Sequence, residues 1–384
     1  MIGTRPGHRS APGSVRFLLL LLAAFAGEAP AVSDGAPQSR AQLCVASARS
    51  CGLGEMTAIL DDGPVAIWWN PGMLAFDRTV RFTGTRSELA KGLADDIVLS
   101  TYQIQGGSLA IGPLQVRAAL GHTYLSLGSS DIITEGGERV GTFHGWDKLY
   151  NLVFSGSYRD ALAVGVAYEY TYSRLSPPIP EIGLDYPSVG RANSFSFGLG
   201  FRPEFCVLPV DVETPPDAKR TESGLYLSPL LAASVLHLGE GIRYRPDVES
   251  EDLPRQVHVG GGLRAAFRPG TKGDLFDLRR LLTWEVLFGY EYDQSLLGPM
   301  NIIRHYGLEA KVGGIFSCRY GKIIDKAGGI EGTTKGFGFG IEGLFPVGAR
   351  LDWASIPQSF FFPRLERWEI SLFYDPTILR CAAP

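Results

Sequence analysis

A period-two alternation of apolar and small or polar residues constrains this chain more than any other feature. Between positions 161 and 172, Leu162, Val164, Val166, Tyr168, Tyr170 and Tyr172 alternate with Ala161, Ala163, Gly165, Ala167, Glu169 and Thr171. The same rhythm runs through Trp284, Val286, Phe288, Tyr290 and Tyr292 against Glu285, Gly289, Glu291 and Asp293, and through Phe195, Phe197, Leu199 and Phe201 against Ser194, Ser196, Gly198 and Gly200. Successive side chains of a β-strand point to opposite faces, so each segment is a long strand with an apolar environment on one side only. Such segments repeated down the chain predict an all-β fold, a transmembrane antiparallel β-barrel.

The remaining signals fit a barrel in the bacterial outer membrane. Arg5, Arg9 and Arg16 precede the apolar run 17–26, and Ala29-Pro30-Ala31 satisfies the small-residue cleavage rule, so residues 1–31 read as a secretion signal. After Ala31 no apolar run approaches the roughly 20 residues that a membrane-spanning helix needs, so any crossing is made by strands. The alternating segments are not divided by a linker, which favours one large barrel over several domains. The 48 glycines suit closely packed strands, and an aromatic fraction of 11% suits aromatic girdles. A net charge of −4 leaves no basic patch for nucleic acid. Of the five cysteines, Cys44 and Cys51 lie close enough for a small disulfide loop, Cys206 falls in an expected loop, and no spacing resembles a metal site.

About fourteen strands are expected, at 79–85, 97–104, 114–125, 148–158, 161–172, 192–202, 224–237, 255–267, 281–292, 302–312, 315–322, 336–345, 350–356 and 365–374. With both termini periplasmic, the medium or long connections 86–96, 126–147, 173–191, 238–254, 293–301, 323–335 and 357–364 face outward. The tight ones, such as Arg159-Asp160 and Gly313-Gly314, face the periplasm. Connections 203–223 and 268–280 break this alternation. The division is therefore signal 1–31, plug or hatch segment 32–78, barrel 79–375 and tail 376–384. Within the plug, a short helix is expected after Met56, followed by a turn at Asp61-Asp62-Gly63-Pro64. A sharp bend follows at Asn70-Pro71-Gly72 beside Trp68 and Trp69, because proline cannot donate to a ladder and biases Asn70 away from helix.

Two runs in this pre-barrel segment resemble the N-terminal signature of outer-membrane barrels of the FadL/PorV type. They are Ala48-Arg49-Ser50-Cys51-Gly52-Leu53-Gly54-Glu55-Met56-Thr57-Ala58-Ile59-Leu60-Asp61-Asp62 and Ala66-Ile67-Trp68-Trp69-Asn70-Pro71-Gly72-Met73-Leu74-Ala75. Gly72 and Met73 stand where the family pattern carries alanine and glycine. His305-Tyr306-Gly307-Leu308-Glu309 with Arg319-Tyr320-Gly321, and the last strand from Arg367, are similar to the PorV/PorQ branch. The resemblance implies one of two roles: passage of a hydrophobic or amphipathic compound across the outer membrane, or a non-enzymatic part as secretion partner or scaffold. Partners would be outer-membrane lipids, the barrel-assembly machinery, and either a hydrophobic small molecule or secretion-system proteins.

Transport of an apolar compound requires an apolar route blocked by a plug. Trp68, Trp69, Asn70, Pro71, Gly72, Met73, Leu74 and Phe76 are the plug and ligand-route candidates, and a simple lid over the periplasmic mouth is the structural alternative. The polar register places Arg117, Glu169, His258, Arg264, Glu285, Glu291 and Glu309 in the lumen, with Lys311, Arg367 and Glu369. There charges of both signs neutralise one another rather than mark an ion path. His122, His144, His237, His258 and His305 are scattered, and no serine sits in a nucleophile elbow, so no enzyme is expected. No phosphate loop, dinucleotide fingerprint or zinc spacing appears, and no cofactor or metal is assigned.

Overall fold

The protein is described by a computed structural model covering residues 40–45, 47–92, 94–133, 136–176, 188–210, 223–244, 250–270, 278–296, 302–358 and 363–376. The expected secretion signal 1–31, the first part of the expected plug segment and residues 377–384 of the expected tail lie outside the described residues.

Among the described residues there are sixteen strands. Fourteen form a closed antiparallel ring: β1 (Val80–Ala90), β2 (Ala94–Gln105), β4 (Leu114–Ile133), β5 (Arg139–Tyr158), β6 (Leu162–Ser176), β7 (Ser188–Phe201), β9 (Gly224–Gly239), β10 (Gln256–Arg268), β11 (Trp284–Ser295), β12 (Ile302–Val312), β13 (Phe316–Asp325), β14 (Ile330–Gly340), β15 (Val347–Ile356) and β16 (Leu365–Tyr374). Each ring strand pairs with the next ring strand in the chain, and β1 closes on β16 from Val80↔Tyr374 to Arg86↔Trp368. Closure leaves no long strand edge unpaired, the condition for strands in lipid. Two short strands, β3 (Leu109–Ile111) and β8 (Phe205–Pro209), pair with β4 and β9 beside the ring.

The alternation read from the sequence is the alternation of the wall. Along β6, Leu162, Val164 and Tyr168 are exposed, whereas Ala163, Ala167, Glu169, Thr171 and Ser173 are buried. Along β11, Trp284, Val286, Phe288 and Tyr290 point out while Leu287, Gly289, Glu291 and Asp293 point in. Phe82, Tyr102, Ile104, Leu120, Phe154, Phe197, Leu231, Leu263, Leu308, Tyr320, Ile370 and Leu372 extend this exposed apolar surface around the ring. A water-soluble protein does not expose a belt of that kind.

Several boundaries differ from the sequence expectation, each for a local reason. The connection expected at 126–147 is mostly strand, because β4 and β5, each 20 residues long, run on as one hairpin with a register shift between Ser126 and Ser129. The connection expected at 323–335 shrinks to a tight turn between Asp325 and Ile330, and the following strand ends at Gly340 rather than at 345. In these extensions both faces are polar or mixed, so alternation, the signal that reveals a strand inside the apolar belt, is weak. The turn Gly313-Gly314 is as tight as expected, with φ of 64° at both glycines, the left-handed geometry of a two-residue hairpin loop. Cys206 lies in the short strand β8 rather than in a loop.

Candidate functional site: the plugged lumen

Residues 40–45 and 47–79 thread the inside of the ring as short helical turns rather than strand. Ser47 caps the helix Ala48–Gly52, its hydroxyl accepting from Ser50 N at 3.4 Å. The helix expected after Met56 is displaced: residues 61–64 open one instead, at Gly63–Ala66, because Pro64 at its first turn has no amide to satisfy. A 3-10 turn, Met73–Phe76, then leads into β1. Cys51 is a thiol that accepts from Arg367 Nη1 at 3.4 Å, so the disulfide loop with Cys44 does not form. Burial pushes this thiol up to about 12.

Threading irregular backbone through a barrel leaves many peptide groups without ladder partners, and the wall supplies them. Glu369 accepts from Ala48 N at 2.9 Å, Thr334 from Gly54 N at 2.8 Å, and Glu291 from the amides of Thr57 and Ala58 at 2.8 and 2.7 Å. Asn151 donates to Ile67 O at 3.1 Å and Ser155 to Gly72 O at 3.1 Å. The bend at Asn70-Pro71-Gly72 forms as expected. Asn70, fully buried, donates to Ala58 O at 2.8 Å and accepts from Gly72 N at 3.1 Å. The bend lies directly on the wall glycines Gly165 and Gly198; a Cβ on either would sit 2.6 Å from Gly72 N. Glycine is required there because backbone meets backbone.

Two layers result. The deeper one is apolar: Leu53, Met56, Ile59, Leu60, Ile67, Trp69, Met73, Leu74 and Phe76 form one cluster with Val153, Leu230, Leu236 and Leu287 of the wall, and Trp68 packs against it partly buried. The other is charged and surrounds a cavity of about 670 Å³ at the barrel end where β1 begins and β16 finishes. Arg49 meets Glu309 at 2.7 Å and Asp62 at 3.0 Å, while Arg319 lies 2.7 Å from both Glu309 and Asp352. Arg264 grips Asp61 at 3.0 Å, and Arg202 pairs with the same carboxylate. Burial would raise the Asp61 carboxyl, but Arg264, Arg202 and Arg49 together hold it well below the usual carboxylate range. On the outer face, a second concavity of about 490 Å³, lined by Phe82, Tyr102, Leu120, Tyr150 and Tyr168, lies at Gly121. A Cβ on Gly121 would meet Trp68 Cζ2 at 2.8 Å.

The route candidates therefore fall together: Trp69, Met73, Leu74 and Phe76 within the apolar cluster, Trp68 against it, and Asn70, Pro71 and Gly72 on the wall glycines. The lumen candidates all face inward but form separate groups. Arg264, Glu285 and Glu309 join the charged layer, His258 and Glu291 meet each other, and Glu169 binds His237 at 2.6 Å with Ser194 and Ser196. Arg117 stands apart, donating to Thr79 O at 3.4 Å. Sequence reasoning missed Arg49, Asp61 and Asp62 on the plug, and Arg319, Asp352, Asp293 and His305 on the wall. The wall residues lie on the inward register that identified Glu309 and Glu291, and that register could have found them. The plug residues carry no periodicity.

A closed antiparallel barrel with an apolar belt and a polar lining is a barrel of the outer-membrane type. No protein-family model matches the chain, and no curated protein does. The chain is similar in fold to solved FadL-type barrels. The Ralstonia pickettii toluene transporter TbuX is 12% identical with a TM-score of 0.40, the match covering 85% of this chain and 97% of that one. The Pseudomonas putida toluene transporter TodX is 11% identical with a TM-score of 0.40, covering 84% and 95%. A Pseudomonas aeruginosa FadL homologue is 10% identical with a TM-score of 0.38, covering 86% and 98%.

Proposed function

We propose that this barrel passes a hydrophobic or amphipathic compound across the outer membrane, with residues 44–76 as the gate. The observation that carries the reading is the apolar cluster that residues 53–76 form with the wall beside the charged cavity. A plug that only closed a polar pore would be satisfied by the ion pairs and hydrogen bonds already present. The apolar contact between Ile59, Trp69, Met73 and the wall instead offers a seam for an apolar molecule, bordered on one side by the His258 ring 5.3 Å from that of Trp69. The charged cavity adjoining it suits the polar end of an amphipathic cargo. A passage through this seam needs the plug to shift, since the cluster is fully packed.

Mass spectrometry of lipid-like molecules co-purifying with the detergent-extracted barrel tests the reading. A defined apolar ligand is expected in the wild type and lost on Trp69→Ala, with heat-modifiable folding retained. Fatty-acyl and monoaromatic probes added to the stripped barrel should compete for the same place. Absence of any ligand, with a stoichiometric protein partner captured instead, would refute transport and favour a secretion or scaffold role.

A further inference from the structure

Three neighbouring wall strands bring four titratable side chains to one point opposite the plug. His258 of β10 is the register partner of Asp293 on β11, and Glu291, two residues earlier on the same face, is the partner of His305 on β12. His258, Glu291 and His305 are almost completely buried, and Asp293 is 9% exposed. Thr57 of the plug completes the group: its hydroxyl lies 2.7 Å from Glu291 Oε1 and 3.0 Å from His258 Nδ1.

Counting hydrogens shows what this group lacks. Glu291 Oε2 accepts from the amides of Thr57 and Ala58, which turns Oε1 toward His258 Nδ1, 3.4 Å away. Asp293 Oδ1 lies 2.8 Å from the same nitrogen and has no hydrogen-bond partner. Gln256 Oε1, 3.0 Å from His258 Nε2, is placed to accept that nitrogen's hydrogen, so the ring when uncharged presents a lone pair at Nδ1. His305 repeats the pattern. Its Nδ1 donates to Gly54 O at 2.6 Å, and its buried Nε2, 2.9 Å from Asp293 Oδ2, is also without a hydrogen-bond partner. Lone pairs on one imidazole and two carboxylates thus converge, and the single hydroxyl hydrogen of Thr57 serves only one of them. Two carboxylates held dry in this way require positive charge among them.

We infer that His258, Glu291 and Asp293, with the Thr57 hydroxyl beside them, bind one divalent transition-metal ion of the zinc kind. The donor atoms of the three side chains all lie within 4.8 Å of one another. A tetrahedral ion with bonds of about 2.0–2.1 Å sets its donors roughly 3.3–3.4 Å apart, so the separations of 2.8 and 3.4 Å between His258 Nδ1 and the two carboxylates need only small shifts. Imidazole with carboxylate is a donor set suited to zinc, and a doubly charged ion neutralises both carboxylates with the imidazoles uncharged. The ion would also fasten the plug to β10 and β11 through Thr57, while His305 holds Gly54 from β12. This inference does not depend on the transport reading.

The test uses the full-length barrel in detergent, stripped with chelator, re-exposed to zinc and dialysed. Elemental analysis should find about one zinc per chain. His258→Gln and Asp293→Asn should each lower occupancy at least tenfold while heat-modifiable folding persists, and either variant decides if the other fails to fold. X-ray absorption at the zinc edge of wild-type protein should show a nitrogen and oxygen shell with one imidazole, a readout that needs no variant. Calorimetry in two buffers of different protonation heat should show protons released as zinc enters. Wild-type protein that retains no zinc would overturn the inference and leave protonated imidazoles as the cluster's positive charge. Undiminished binding by the variants, or a shell containing sulfur, would overturn it equally.

Discussion

Replacing Gly165 by alanine probes the contact between plug and wall with a single methyl group. A Cβ there would lie 2.3 Å from the carbonyl carbon and oxygen of Pro71 and 2.6 Å from Gly72 N, against ordinary contact from 3.4 Å. The opposing atoms are all backbone, so no side chain can rotate away, and the plug must retreat by about 1.1 Å or the wall must bow. Overpacking of this kind costs about 1–3 kcal/mol. Retreat also strains the Ser155 bond to Gly72 O and the Asn70 bond to Leu199 O. Gly84→Ala is the control, because its Cβ meets only the Tyr102 ring at 3.6 and 3.7 Å. Urea unfolding of both variants in detergent micelles gives the comparison. Gly165→Ala should lose about 1–3 kcal/mol and Gly84→Ala no more than about 0.5 kcal/mol. Equal stability of the two would refute the placement of the plug against β6.

Further outcomes follow from the same geometry. Val166, paired with Phe154 and Phe197 across its neighbours, faces lipid, and Val166→Arg should cost about 2–4 kcal/mol and reduce the heat-modifiable form in membranes. Arg319 is fully buried between Glu309 and Asp352, so Arg319→Met removes one cation from each carboxylate while Arg49 and Arg350 remain, and should cost about 1.5–3 kcal/mol by the same unfolding assay. In a cysteine-free background, Ser130→Cys at the exposed end of the β4–β5 hairpin should label on intact cells and Arg159→Cys should be protected. The reverse pattern would invert the proposed orientation.

What was legible in the sequence is the part governed by the membrane. Lipid demands an apolar residue at every second position, so Leu162 to Tyr172 and Trp284 to Tyr292 announce both the strands and their facing. Where strands rise past the belt, as at Ser130 or Ile330, that demand lapses and the strands read as loops. The bend at Asn70-Pro71-Gly72 was readable because proline and glycine restrict backbone directly. Its function as a fit against Gly165 and Gly198 was not, since a close approach between segments more than ninety residues apart leaves no local trace. The ion pairs of Arg49 with Glu309 and of Asp61 with Arg264 were hidden for the same reason. Inward register shows that a charge faces the lumen, but its partner depends on how the plug threads.

The most direct test of a plug-gated apolar route is uptake by whole cells expressing the wild-type barrel, the barrel lacking residues 44–76, or neither. The wild type should speed entry of a hydrophobic probe over cells lacking the barrel while excluding large hydrophilic antibiotics, and the deletion should admit both. Wild-type cells that take up the hydrophobic probe no faster than cells without the barrel would contradict the account.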